Sequence, residues 1–168
     1  KLYTEEKFTE SEIAYRKSLE VNPRSVEGTY NLGNSLYKQK KFPEAAEQYQ
    51  LLTGQAEKMV ETEEGRARLA SVFHNLGDIS MQSKEYQKSV EAFKQSLRLN
   101  PKDDETRYNL ALAQKLLENQ QNENQDQNQD QQNQDKKEDQ ENKDDQQQQQ
   151  QQQQQDDKKE DKTQQEQQ

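Results

Sequence analysis

The chain has 168 residues, with 24 Lys and Arg against 33 Asp and Glu, a formal charge of −9, one His and no Cys. A lone histidine excludes His-cluster metal sites. The lack of cysteine excludes a disulfide framework and a thiol nucleophile, and fits either an oxidising or a reducing compartment.

The first predicted element is a helix from Phe8 to Val21, with Ser11 and Tyr15 on its apolar side; Asn22-Pro23 ends it, because the residue before proline is pushed out of the α region. A second helix opens near Val26 and places Leu32, Gly33 and Leu36 on one face. The basic run Lys38-Gln39-Lys40-Lys41 reads as a solvated turn. A third helix carries Ala45 and Tyr49, and its stripe continues through Leu52, Ala56, Met59 and Val60. It is therefore expected to run on by two turns until Gly65 stops it.

The fourth helix sets Phe73, Leu76, Gly77 and Ser80 at i, i+3, i+4 and i+7, and the fifth carries Ser89 and Phe93 before Asn100-Pro101 closes it. Lys102-Asp103-Asp104 supplies acidic N-cap candidates for a last helix, Thr106 to Leu117. Small residues within these faces (Gly33, Gly77, Ala45, Ser89) are expected to let helix axes approach closely. A mid-helix glycine costs about 1 kcal/mol relative to alanine, so its return at one register suggests that packing offsets the cost.

Every Tyr, Phe, Ile, Leu, Val and Met lies at or before Leu117. Residues 119–168 hold six Lys and fourteen Asp and Glu, which is −8 of the total −9, so the acidity belongs to this tail and the remainder is near neutral. With no apolar side chain to bury, the Gln-, Asn- and Asp-rich tail is expected to be disordered. The chain thus divides into residues 1–118 and a tail, 119–168. The first part is expected to hold a partial repeat 1–23, a repeat 24–65 with a lengthened second helix, a repeat 66–101 and a capping helix 103–118.

Self-similarity organises these elements. Tyr30-Asn31-Leu32-Gly33 returns as His74-Asn75-Leu76-Gly77 and as Tyr108-Asn109-Leu110-Ala111, while Ser18-Leu19-Glu20-Val21-Asn22-Pro23 returns as Ser96-Leu97-Arg98-Leu99-Asn100-Pro101. The last two openings are 34 residues apart and the first two 44 apart. A period near 34 with helix–turn–helix content resembles the tetratricopeptide repeat (TPR). The resemblance implies an all-α fold, a short α-solenoid of antiparallel helix pairs. The ten extra residues after Tyr49 belong either to the binding edge or to a spacer.

In that family the first helices of successive repeats line a concave groove. Carried over by position, the implied partner-binding residues are Tyr30, Asn31, Asn34, Tyr37 and Lys38, then His74, Asn75 and Asp78, then Tyr108, Asn109 and Lys115. Each Asn before a Leu is an amide that can donate to and accept from a bound backbone; the alternative is that it ties one helix to its neighbour. Tyr30 and His74 stand where members that clamp chaperone C-termini have basic residues, which disfavours that ligand. His74 itself reads as groove-lining or as a satisfied surface histidine rather than a catalytic base.

No phosphate-binding glycine loop occurs. The clusters Glu61, Glu63, Glu64 and Asp103, Asp104, Glu105 lie at helix ends, where capping and dipole effects account for them without a metal. The expectation is a non-enzymatic chain with neither cofactor nor metal. Its net negative charge argues against nucleic acid, and no stretch nears eighteen consecutive apolar residues, so no segment reads as a membrane span.

Thr29 to Asn34, Ser96 to Pro101, Arg107 to Ala111 and the tail after Leu117 also resemble, in order, the TPR proteins of the Bacteroides aerotolerance type. That resemblance implies an exported scaffold acting beside membrane proteins with von Willebrand type A domains, in the periplasm or cell envelope. The cytoplasm stays as the alternative, because the chain opens at Lys1 within a repeat unit and a trimmed leader would remove the evidence. Two roles remain open: a scaffold that holds a partner peptide or helix in its groove, and an oligomerisation module that stacks on its own copies through the end near Phe8 and Tyr15.

Overall fold

Ser25 and Thr62 show how local chemistry starts the helices: each side-chain oxygen accepts a backbone N–H three residues on, from Gly28 and Gly65, at 3.0 Å. The computed structural model describes residues 2–167, and these form seven α-helices without a strand. They are α1 (Leu2–Val21), α2 (Val26–Lys38), α3 (Phe42–Thr53), α4 (Ala56–Met59), α5 (Glu63–Gln82), α6 (Tyr86–Leu99) and α7 (Asp104–Glu166). The chain forms two units, residues 1–118 and residues 119–168.

Within the first unit α2 and α3 form one hairpin and α5 and α6 another, with α1 packed on α2 and α3 on α5. The two hairpins turn alike. Gln39 and Ser83 cap α2 and α5, and the next residues, Lys40 and Lys84, take left-handed φ values of 61° and 58°. Lys41 N–H then donates to Leu36 C=O and Glu85 N–H to Ser80 C=O, both at 2.9 Å, closing the same six-to-one motif. Asn22 and Asn100, each before a proline, follow directly on the ends of α1 and α6.

The main core joins Leu32, Leu36, Tyr49, Leu52, Met59, Leu69, Val72 and Ile79, with Tyr15 and Leu19 of α1 packed against it. A second cluster of Val90, Phe93 and Ala113 is covered by Met81, Leu110 and Leu117, and this is where the start of α7 meets α5 and α6. Inside each hairpin a glycine faces an aromatic ring. A Cβ on Gly33 would stand 2.7 Å from Tyr49 Cε1, and one on Gly77 would stand 2.4 Å from Phe93 Cε1. Ala45 and Ser89 are fully buried on the opposing helices, and Ser89 Oγ donates to Gly77 C=O at 2.7 Å. The small residues therefore sit where the helices come closest.

Glu12 fastens α1 to the turn after α2. It accepts from Gln39 Nε2 at 3.0 Å and pairs with Lys41 Nζ and Arg16 at 3.1 Å each. Burial works to raise its carboxyl, but these partners together hold it below the ordinary value. The Lys38-Gln39-Lys40-Lys41 run is thus more than the solvated turn that its composition suggests: two of its side chains hold Glu12.

Two expectations are corrected. The second helix of the lengthened repeat does not run on to Gly65. α3 stops at Thr53 with Gly54 as its cap, Thr53 Oγ1 donates back to Gln50 C=O at 2.9 Å, and the separate turn α4 brings Met59 into the core. Gly65 lies in the first turn of α5, where a Cβ would meet Met59 C=O at 1.9 Å. It marks a close backbone approach and not a helix stop.

The expected disorder of the tail is also absent, since α7 continues as one helix to Glu166. Burial does not hold this part, whose side chains are exposed almost throughout. After Pro101 the chain has neither Gly nor Pro, and Gln, Glu and Lys are fair helix formers. Nucleation is the costly step of helix formation, and Thr106 to Leu117 supplies a packed nucleus from which elongation meets no stop. Polar pairs one turn apart add to it: Gln131 Nε2 donates to Asp135 and Gln140 Nε2 to Asp144, both at 3.2 Å, each worth about 0.2–0.5 kcal/mol.

Replacing Gly65 by Ala should lower unfolding stability by about 1–3 kcal/mol, because the obstructing atom is backbone. Gly54 has φ −66° and no atom nearer than 3.5 Å to an added Cβ, so Gly54→Ala should be neutral or raise stability by up to about 1 kcal/mol. Urea unfolding of both variants tests the contrast, and equal losses would refute it. Deleting residues 119–168 should leave the unfolding midpoint of the remainder within about 2 °C, as for surface changes of a few tenths of a kcal/mol. In the full chain, Cα chemical shifts of that segment should be helical and should relax toward coil gradually on warming.

Candidate functional site

α2, α5 and the start of α7, the three helices that contain the repeated tetrapeptide, carry all the proposed groove residues. The structure joins most of them into two hydrogen-bonded chains. In the first, the Tyr49 hydroxyl donates to Asn34 Oδ1 at 2.7 Å and accepts from Asn75 Nδ2 at 3.0 Å, so that a phenol from α3 links α2 to α5. Burial raises the Tyr49 phenol far above its ordinary value, and the group stays a donor at any physiological pH.

The second chain centres on Asp78. Its carboxylate accepts from the Tyr37 hydroxyl of α2 at 2.9 Å and from Asn109 Nδ2 of α7 at 3.4 Å, and lies 3.2 Å from His74 Nε2. Burial, with Asp78 beside it, pushes the Tyr37 phenol well above its ordinary range. On the other side of the imidazole, Nδ1 is 2.6 Å from Thr106 Oγ1, and the ring leans on Phe93 with centroids 5.8 Å apart. Thr106 is fully buried; its backbone N–H and hydroxyl both donate to Asp103, at 3.2 and 2.7 Å. The hydrogen bond from Thr106 holds the Asp103 carboxyl below the ordinary value, against burial.

Asn34, Tyr37, His74, Asn75, Asp78 and Asn109 are thus engaged within the chain. For Asn75 and Asn109 the structure favours the helix-tying alternative, and His74 is a satisfied histidine. Tyr30 is half-buried against the core, with the Arg68 guanidinium 5.7 Å above its ring. Asn31 is half-buried and makes no side-chain hydrogen bond among the described residues, whereas Lys38 and Lys115 are exposed. Tyr108 is 70 % exposed and Leu112, one turn along α7, is 39 % exposed. Beside His74, an open cleft of about 490 Å³ is bounded by Glu63, Arg66, Ser71, Asn100 and Glu105.

Sequence reasoning missed three participants. The Tyr49 hydroxyl has a signal, since Tyr stands where the next repeat has Phe93 and a buried phenol needs a partner. Thr106 and Arg68 carry none, because each acts through a side chain distant in sequence.

The architecture is that of a helical-repeat scaffold. Residues 2–59 match the tetratricopeptide repeat family and residues 69–117 a TPR repeat family, so the chain carries tetratricopeptide repeats across both hairpins and the start of α7. Such repeats mediate protein–protein interactions. Over 86 residues the chain is also 38% identical to the Type IV pilus assembly protein PilF of Pseudomonas aeruginosa, an overlap of 51% of this chain and 31% of that protein. The chain therefore matches about a third of that relative's length. No described helix is long and apolar enough to cross a membrane.

The two repeat asparagines should separate on mutation. Asn75→Ala leaves the buried Tyr49 hydroxyl short of a donor and should cost about 1–3 kcal/mol of stability. Asn31→Ala breaks no bond and should change it by less than about 0.5 kcal/mol. Thermal unfolding of the two variants decides, and equal effects would mean that the Tyr49 chain carries no weight.

Proposed function

We propose that this chain is a non-enzymatic scaffold that holds a peptide or helix of a partner protein on the face of α2, α5 and α7. What supports the reading is the exposed pair Tyr108 and Leu112 on that face, with Asn31 uncommitted and Lys38 and Lys115 exposed. Aromatic side chains combine contact area with a polar end and are favoured at interfaces. The amides of Asn34, Asn75 and Asn109 hold the face in shape, and Tyr30, Asn31, Tyr108 and Leu112 do the contacting.

On the sequence resemblance to aerotolerance-type TPR proteins, the scaffold belongs to a cell-envelope complex. Its partners there are membrane proteins with von Willebrand type A domains, and the cytoplasm is the alternative site. The likeness to a protein named for pilus assembly supports a role in assembling other proteins and does not choose among partners. The second reading is self-stacking through α1, which Ile13 at 51 % and Val21 at 89 % exposure favour.

A photo-cross-linking residue at position 108, used in the native cell envelope, should capture a partner that the same residue at exposed Glu47 does not. Tyr108→Ala should weaken that partner's binding by about 1–3 kcal/mol with an unchanged unfolding midpoint. Capture of the chain's own copies, together with sedimentation that depends on concentration, would replace the scaffold by the stacking module. A fall in midpoint equal to the loss in binding would assign Tyr108 to structure.

A further inference from the structure

We propose that residues 119–166 are a spacer: a helix whose function is its length and not a surface on it. The contact face of α2, α5 and α7 gives this segment no role, and the spacer stands whatever partner that face holds.

A helix that is recognised needs something to bury and a register to be read. Binding energy concentrates in a few buried anchors, above all Trp, Tyr and Arg. After Leu117 the chain has no aromatic or aliphatic side chain, no Met and no Arg, so no face of this helix carries an anchor. Residues 146–155 are ten successive glutamines. Their side chains look alike from every side, and a partner could slide along them without losing a contact. A helix that is polar all round bridges solvent between other parts or is held by pairs one turn apart.

What a spacer needs is present instead. The helix is uninterrupted to Glu166, and Gln, Glu and Lys supply 32 of the 48 residues from 119 to 166, so the backbone itself favours the extended rod. At the helical rise these residues span about 70 Å, whereas a flexible chain of the same length averages about 40 Å between its ends. A spacer must also stay single, and Gln-rich stretches tend to join copies through their amides. Here Asp144-Asp145 and Asp156-Asp157 stand at the two ends of the glutamine run, and fourteen acids against six Lys make copies repel. The same repulsion keeps the segment extended wherever the helix opens.

The chain has no cysteine, so two spin labels can be placed on it without background. With Gln121→Cys and Gln155→Cys in the full chain, both at exposed positions, pulsed dipolar spectroscopy should give a narrow distribution centred at about 50 Å, the helical rise over that interval. Adding Gln140→Pro should broaden and shorten it. A broad distribution centred at about 30 Å before the proline is added, as for a flexible chain, would overturn the spacer. Photo-cross-linking residues at positions 127 and 150, used in the native cell envelope, should capture no more than the same residue at exposed Glu47. A specific capture at either position would show that the segment works through a surface, and would overturn the spacer as well. Neither measurement depends on what position 108 captures, so the spacer and the scaffold stand or fall separately.

Discussion

The closeness of two helices across a missing side chain is the constraint from which the rest of this structure follows. Gly33 admits the Tyr49 ring and Gly77 the Phe93 ring to distances that any Cβ would forbid. Because each ring enters so far, Leu32 and Leu36 on one hairpin and Val90 on the other are buried beside it. Interiors at crystal-like density have no slack to absorb a displaced ring, so the crossing of each hairpin is set at one contact. The polar chains inherit that precision. The Tyr49 hydroxyl can meet Asn34 and Asn75 together only because its ring is pinned against Gly33.

The repeat is therefore a polar device as well as an apolar one. A solenoid that carried only hydrophobic faces could slide one hairpin against the next. Here Tyr37, Asp78 and Asn109 draw one hydrogen-bonded line through α2, α5 and α7. Asn75, Asp78 and Asn109 serve as fasteners, and each meets a side chain of the repeat beside it. The cost falls on the groove. Amides used to join repeats are not available to a ligand, so the proposed contact falls to Tyr30, Asn31, Tyr108 and Leu112.

Helix pairs, their turns at Asn-Pro, the Asp103 cap and the small residues at helix crossings were all legible in the sequence, because each depends on residues near one another in the chain. Gly65 was misread for want of a distance. A glycine after Glu63-Glu64 has the local look of a helix end, and only the Met59 carbonyl lying against it shows its use. The tail was misread by asking what it could bury, when its helix rests on an upstream nucleus and the lack of any breaker after Pro101. Site residues were legible as positions and not as roles. Whether Asn75 faces a ligand or Tyr49 is decided by a hydroxyl 26 residues away.

The last helix shows how these levels meet. Its first turns are held by one small apolar cluster around Ala113 and by polar links through Thr106 and Asn109. By contrast, α5 is sealed between α3 and α6 by Leu69, Val72 and Gly77. An element with little buried apolar surface lies at the low end of local stability, so a single polar link is a larger fraction of what holds it. The exposed pair Tyr108 and Leu112 lies on this same helix. What fastens α7 therefore also sets how steadily these two side chains are presented.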